Sequence, residues 1–539
     1  MEYRWKKQRT TLGTYVMYDL GRNPQKNYGK HQDGVISFKA TLDRAVFFSK
    51  LDVEGFGGAI LFADNEGKGY EPAEEARDFW YEAAKSRKYR VKAHMQKFEK
   101  EWGFVPAQVK ERLEKAETLL AQTDGGTDGP KTYGNEDCPD HGENTENALC
   151  QILWAGEELV LLEAELKIAR RGPRKDFCFI GCMKGFTDGG EAFRNNFKRL
   201  FGEAVIPTHW GCVEPREGEK HYDVIFDMLD WCTENHIPVR GHALVWFSDW
   251  WEGKNWMGEY GRKDYEAFKR LVAERAEYIL SNRPNAFDSV DFNEPLQSNP
   301  FNFTFEQHFE ICKEVYGLIR KYSPKTKLMI NFYDEWLANY GFDENSIPEV
   351  REWKQSYGLP DSVPNRYCVS VPYFLDKCRE AGIKVDILGL QFHDYPYDLF
   401  NTMELINWWY DRYHLPIQLT EVSTPSQTGK TPFHMGKRPV PITKYWHRPW
   451  DERLQEQWYR EFSTYFYSTD CVQGITAWSI SDAPTQWADY LEGHPNEKFK
   501  LQAFDYDGLF DWKNEPKPAY YGLCELAKKW GLKTGERER

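Results

Sequence analysis

No stretch of this 539-residue chain approaches the roughly 18 consecutive apolar residues that a membrane-spanning helix requires. Positive charge is also short. Seventy Lys and Arg stand against 84 Asp and Glu, a net charge of −14. That removes the electrostatic footprint of a nucleic-acid binder, and an anionic membrane surface would repel the chain. The N-terminus, Met1-Glu2-Tyr3-Arg4-Trp5-Lys6-Lys7, runs on into polar residues with no apolar stretch of signal-peptide type. A cytoplasmic location is therefore expected for the sequence as it stands, and a secreted one if a leader has been removed. The eleven cysteines offer neither a zinc nor a disulfide framework, because their number is odd and no pair has C-x-x-C spacing. Cys178 and Cys182, four apart, read as one face of a strand, and reduced structural thiols are expected throughout. Disorder is excluded by an aromatic content of 16%, which includes 21 Trp.

What is present divides the chain in three. Residues 1–85 carry strand-length apolar runs such as 35–40 and 58–63, separated by Gly, Asn and Asp. The stretch Asp64-Asn65-Glu66-Gly67 lacks the remaining ligands of a calcium loop and reads as a surface turn. Residues 86–172 predict a helical pair, one helix from Lys85 to Gln122 and one from Asn147 to Arg171, around a Gly-rich acidic loop. From Pro173 to the end, apolar runs alternate with amphipathic stretches at βα spacing. The runs are 177–182, 204–210, 239–246, 289–294, 327–333, 387–393, 417–423 and 474–480. Eight such units predict a (β/α)8 barrel over 173–539, preceded by the β-rich part and the helical pair. An open doubly wound sheet is the competitor, but no G-x-G-x-x-G follows the first strand. The first 85 residues show no row of surface aromatics, so a packing role is expected for them.

In such a barrel the chemistry lies where strands end. His209, His242, Trp246, Asn293, Glu294, Tyr333, Gln391, His393, Glu421 and Trp478 all fall at or near those ends. Two carboxylates on non-adjacent strands, among imidazoles, amides and aromatic faces, suit cleavage of a glycosidic bond. One acid protonates the leaving oxygen while the other attacks or stabilises the sugar. Three histidines also invite a metal-dependent hydrolase, but the first strand lacks the H-x-H pair, so no metal and no cofactor are expected.

Six motifs in order carry a resemblance: 210–218 (WGCVEPREG), 240–246 (RGHALVW), 291–294 (DFNE), 389–393 (GLQFH), 419–421 (LTE), and 508–511 with 516–521. Together they resemble glycoside hydrolase family 10, the endo-β-1,4-xylanases, over about residues 176–530. The resemblance implies a retaining double displacement on a polysaccharide or oligosaccharide of xylan type, with Glu294 as acid/base and Glu421 as nucleophile. It implies Asn293 on a sugar 2-hydroxyl, His242, Trp246 and Gln391 along the glycone side, and His393 on Glu421. Trp478 and Trp487 would close over the sugar. Two departures stand out. Val205, Ile206 and His209 occupy the place of the family's sugar-binding Glu-Asn and Lys on the second strand, and Ser423 stands where an Asp is usual. The first predicts weak activity on unsubstituted xylan, unless the long 425–450 insert supplies new donors. The alternatives are a β-glycosidase for a decorated or non-xylose glycan, or a carbohydrate-binding barrel without catalysis. Oligomeric state is not readable.

Overall fold

The computed structural model describes residues 1–8, 15–25, 29–123, 142–214, 216–247, 256–293, 303–332, 371–393, 398–428, 445–482 and 506–536. The chain forms two compact units. The first comprises Met1–Arg170 with residues 395–408 and 443–449, and the second comprises the rest from Arg171.

In the first unit, β1 (Glu2–Lys6), β3 (Lys30–Gln32) and β4 (Val35–Lys39) form one antiparallel sheet in the order β1-β4-β3. A second sheet joins β2 (Val16–Tyr18), β5 (Val46–Val53) and β6 (Gly57–Ala63) in the order β2-β5-β6. Period-2 alternation sends Tyr3 and Trp5 of β1, and Ile36 and Phe38 of β4, into the core. There Trp5 lies 4.8 Å from Phe47 and 5.7 Å from Phe79, so these aromatics pack rather than form an open stacking row. The 64–67 segment is a tight turn with Asn65, Glu66 and Gly67 at positive φ, and its Asp64 is paired with Arg90.

The helical region departs from the expected pair, because three helices form: α1 (Phe79–Trp102), α2 (Ala107–Ala121) and α3 (Glu143–Arg171). The single helix expected from 85 to 122 is broken by Gly103, a left-handed cap whose N–H bonds the Glu99 carbonyl, and by Pro106 ahead of α2. At the other end α1 begins earlier than its periodicity suggested, since Asp78 caps it through the Tyr81 N–H. Later chain segments complete this unit. Asp398 forms a fully buried ion pair with Arg87, and Glu404 lies 2.8 Å from Arg90. Tyr445 O accepts from the Gly58 N–H at 3.0 Å, and Trp446 is buried. Residues 445–449 of the long insert are therefore structural in this unit, and 429–444 lie outside the described residues.

The second unit holds the expected barrel. Its strands are β7 (Cys178–Cys182), β8 (Glu203–Pro207), β9 (Val239–His242), β10 (Ser289–Asn293), β11 (Lys327–Phe332), β12 (Ile387–His393), β13 (Ile417–Ser423) and β14 (Val472–Ala477). They close in chain order, with every pairing parallel. Closure excludes the open doubly wound sheet. Strands β8, β9 and β14 stop three or four residues before the sequence suggested, which leaves His209, Trp246 and Trp478 just past the strand ends, where barrel sites form. Three of the intervening helices are capped by local side chains: Asp264 accepts from the Ala267 N–H, Thr304 and Gln307 form a capping box, and Asp451 accepts from the Leu454 N–H. Gly389 of β12 is required by closeness. A Cβ there would sit 2.6 Å from the Thr420 methyl and 2.9 Å from Met329 Sδ.

Candidate active site

Within the apolar barrel strands, inward positions of β9, β10, β11 and β13 are polar: Arg240, His242, Asp291, Asn331 and Thr420 are all buried. They bond one another, leaving Arg240 Nε and Asp291 Oδ1 without a hydrogen bond among the described residues. His242 Nδ1 donates to Asp291 Oδ2 at 2.5 Å, and Asn331 Nδ2 reaches the same oxygen at 3.2 Å. Arg240 Nη2 donates to the Thr420 carbonyl at 2.8 Å, and the Thr420 hydroxyl donates to Asn331 Oδ1 at 2.6 Å.

This network delivers Glu421. Its Oε1 accepts from Asn331 Nδ2 at 3.0 Å and lies 3.8 Å from His242 Nε2, while its Oε2 accepts from His393 Nε2 at 2.9 Å. Only 4% of the residue is exposed. Burial alone would push its carboxyl up. The His393 hydrogen bond and the charges of His242, His393 and Lys184 outweigh burial and hold it down at about 2. The result is a buried but ionised carboxylate with fixed direction, which is what a nucleophile or electrostatic stabiliser needs. Ser423 Oγ stands 2.8 Å from His393 Nδ1, so the departure at 423 changes the partner of that imidazole without removing the bond.

Around this centre the other expected residues gather unevenly. His209 packs 4.9 Å from the His242 ring and 4.4 Å from Trp246. Burial, reinforced by the nearby charges of His242, Lys184 and Arg275, pushes its imidazole well below the ordinary value, which keeps it neutral. Asn293 is fully buried; His308 Nε2 donates to its Oδ1 at 3.3 Å, and its Nδ2 has no partner among the described residues. Burial pushes His308 down to about 4, so this donor too is neutral. Gln391 lies on β12 opposite Glu421 in the register. Trp478 stands 4.8 Å from the His242 ring and 6.4 Å from that of His393. Glu294, Tyr333 and Trp487 lie outside the described residues.

Val205 and Ile206 are both fully buried within β8, and Val205 packs in the barrel core with Ile180, Cys182 and Trp478. The strand runs only to Pro207, so Thr208 and His209 are the residues that emerge at its end. Sequence reasoning missed Asp291, Asn331, Thr420 and His308 as contributors. Polar residues inside otherwise apolar strand runs were the available signal for the first three. His308 gave none, since it sits in the helix 305–322.

Among the described residues no helix is long and apolar enough to cross a membrane, and no group of three or more His, Cys, Asp or Glu side chains could hold a metal ion.

The family model for glycosyl hydrolase family 10 matches residues 189–526. An endo-1,4-beta-xylanase/feruloyl esterase of Xylanibacter ruminicola is 24% identical over 382 residues, 64% of this chain and 47% of that protein. The endo-beta-1,4-xylanase Xyn10C of Cellvibrio japonicus is 23% identical over 356 residues, 62% of this chain and 51% of that one. This chain thus aligns with about half the length of these relatives. The solved structure of native xylanase10C from Cellvibrio japonicus superposes with a TM-score of 0.42 at 18% identity, covering 68% of this chain and 73% of that one. With the family model matched over more than half its length and a closed eight-stranded barrel presenting Glu421, the chain belongs to glycosyl hydrolase family 10.

Proposed function

We propose that the chain is a retaining glycoside hydrolase cleaving β-1,4-linked xylan-type chains. The supporting observation is the state of Glu421: a carboxylate on β13, held ionised and aimed by Asn331 and His393. In the proposed reaction Glu421 attacks the anomeric carbon while Glu294, which follows Asn293 at the end of β10, gives its proton to the leaving oxygen. A glycosyl ester on Glu421 results. Glu294 then takes a proton from water, which attacks the same carbon, breaks the ester and restores both carboxyl groups. The free Nδ2 of Asn293 is suited to a sugar hydroxyl oxygen, and His242, Trp246 and Gln391 would flank the glycone. No cofactor enters this scheme.

The test combines stereochemistry with two variants. Proton NMR of fresh hydrolysate should show the β-anomer first. Glu421→Ala should lose turnover on natural and activated substrates alike. Glu294→Ala should keep cleavage of aryl glycosides with good leaving groups, since these need little protonation. Initial release of the α-anomer, or opposite behaviour of the two variants, refutes the assignment. A crystal structure should place the two carboxyl groups about 5–5.5 Å apart.

A further inference from the structure

Two residues beyond the end of β7, on the face where strands end, Lys184 lies in the short turn 183–185. Its ammonium sits 3.5 Å from the centre of the Trp478 ring and covers that indole face. Trp478 in turn contacts the imidazoles of His242 and His393, the two rings beside Glu421. Lys184 is half-buried, yet among the described residues no carboxylate lies within ion-pair distance of it. The carboxylate it faces, Glu421, already has Asn331 and His393 as partners. A partly desolvated cation with no carboxylate at ion-pair distance is costly, and a cation–π contact of roughly 0.5–2 kcal/mol offsets only part of that.

The neighbouring donors sharpen the point. Asn293 is an amide, and His209 and His308 are held neutral by burial, so hydroxyls are already served by uncharged groups. What Lys184 adds is charge. Resting on the reading of the chain as a xylan-type glycanase, we propose that Lys184 is a specificity-determining residue whose ammonium pairs with the carboxylate of a uronic-acid side unit on the bound xylan chain. It stands where a sugar would otherwise stack on Trp478, so a chain carrying an anionic branch there gains an ion pair that an unsubstituted chain cannot make. The preference for decoration then comes from the turn after β7 rather than from β8.

The experiment compares kcat/KM on a linear β-1,4-xylo-oligosaccharide with that on the same oligosaccharide bearing one uronic-acid branch, using the full chain. The native chain should favour the branched substrate tenfold or more at low salt, about 1.4 kcal/mol. Lys184→Gln should reduce that ratio at least tenfold, and Lys184→Arg should retain most of it. High salt should shrink the ratio for the native chain and not for Lys184→Gln. Calorimetric binding of both oligosaccharides to Glu421→Ala, alone and combined with Lys184→Gln, gives the same comparison without turnover. Equal ratios in native chain and Lys184→Gln, by rate or by binding, overturn the role of Lys184 while leaving the glycanase reading intact. If neither oligosaccharide is bound or cleaved, the glycanase reading fails and takes this proposal with it.

Discussion

Replacing His393 by Ala isolates what keeps Glu421 ionised. The substitution removes the 2.9 Å bond to Oε2 and leaves the Asn331 bond at 3.0 Å to Oε1 in place. A hydrogen bond to a charged group contributes about 1.5–3 kcal/mol, and one pKa unit corresponds to about 1.4 kcal/mol, so the carboxyl should rise by roughly one to two units. From its value of about 2 it would move to roughly 3–4. Because the proposed nucleophile acts as the anion, the variant should lose more activity at pH 4 than at pH 7. The assay is kcat/KM on an activated aryl glycoside from pH 3 to 8. The native chain should show no acid limb assignable to Glu421 above pH 3. The variant should show one moved upward by at least one unit, and His393→Gln, which restores a donor, should move it back in part. Loss by the same factor at pH 4 and pH 7 would refute the reasoning, because a merely mispositioned carboxylate is impaired at every pH.

Two further perturbations test the frame. Arg87→Met removes the ion-pair partner of the buried Asp398 in the first unit, and should lower stability by about 3–5 kcal/mol in urea titrations monitored by Trp fluorescence. Gly389→Ala pushes a methyl group against Thr420 and Met329; a loss of roughly 1–3 kcal/mol is expected, together with a lower kcat because Thr420 precedes Glu421 and bonds Asn331.

The barrel was legible because its strands are short apolar runs at regular spacing, and β12 and β13 have the predicted ends residue for residue. Legibility failed where tertiary partners decide. Thr208 to Trp210 has the composition of a continuing strand, but after Pro207 the chain leaves the ladder and turns into a helical segment at Trp210–Val213. Val205 and Ile206, which match the family's sugar-binding positions, lie ahead of that turn and are fully buried within β8. The break between α1 and α2 was written plainly in Gly103 and Pro106, and the periodicity of the flanking residues masked it. Segments 395–408 and 443–449 joining the first unit had no local signature at all, because their partners Arg87, Arg90 and Gly58 lie some 300 or more residues earlier.

The barrel interior treats two glutamates in opposite ways, and the contrast shows what sets the site's charge. Glu203, at the start of β8, has an Oε1 closed off from solvent with no hydrogen-bond partner among the described residues. Burial pushes its carboxyl up to about 7, with Arg240 and Gln418 opposing the rise only in part. Glu421 is the more deeply buried of the two, yet its donors hold it at about 2. Burial is common to both; the donors differ. Stability then responds to pH with opposite signs. The depressed carboxyl of Glu421 adds stability that is present above its unfolded value near 4.5 and lost as pH falls towards 2. The raised carboxyl of Glu203 costs nothing below about 4.5, and its cost grows as pH climbs to 7 and beyond. A displacement of 2.5 units corresponds to roughly 3 kcal/mol. Glu203→Gln should therefore stabilise the chain by up to about 3 kcal/mol at pH 8 while changing little at pH 4. Urea unfolding of both chains at the two pH values measures this, and equal stabilisation at pH 4 and pH 8 would show that packing, not ionisation, governs that end of the barrel. Since Glu203 takes no part in the proposed reaction, the gain should leave the pH profile of kcat/KM where it was, separating the charge that destabilises the barrel from the charge that serves its chemistry.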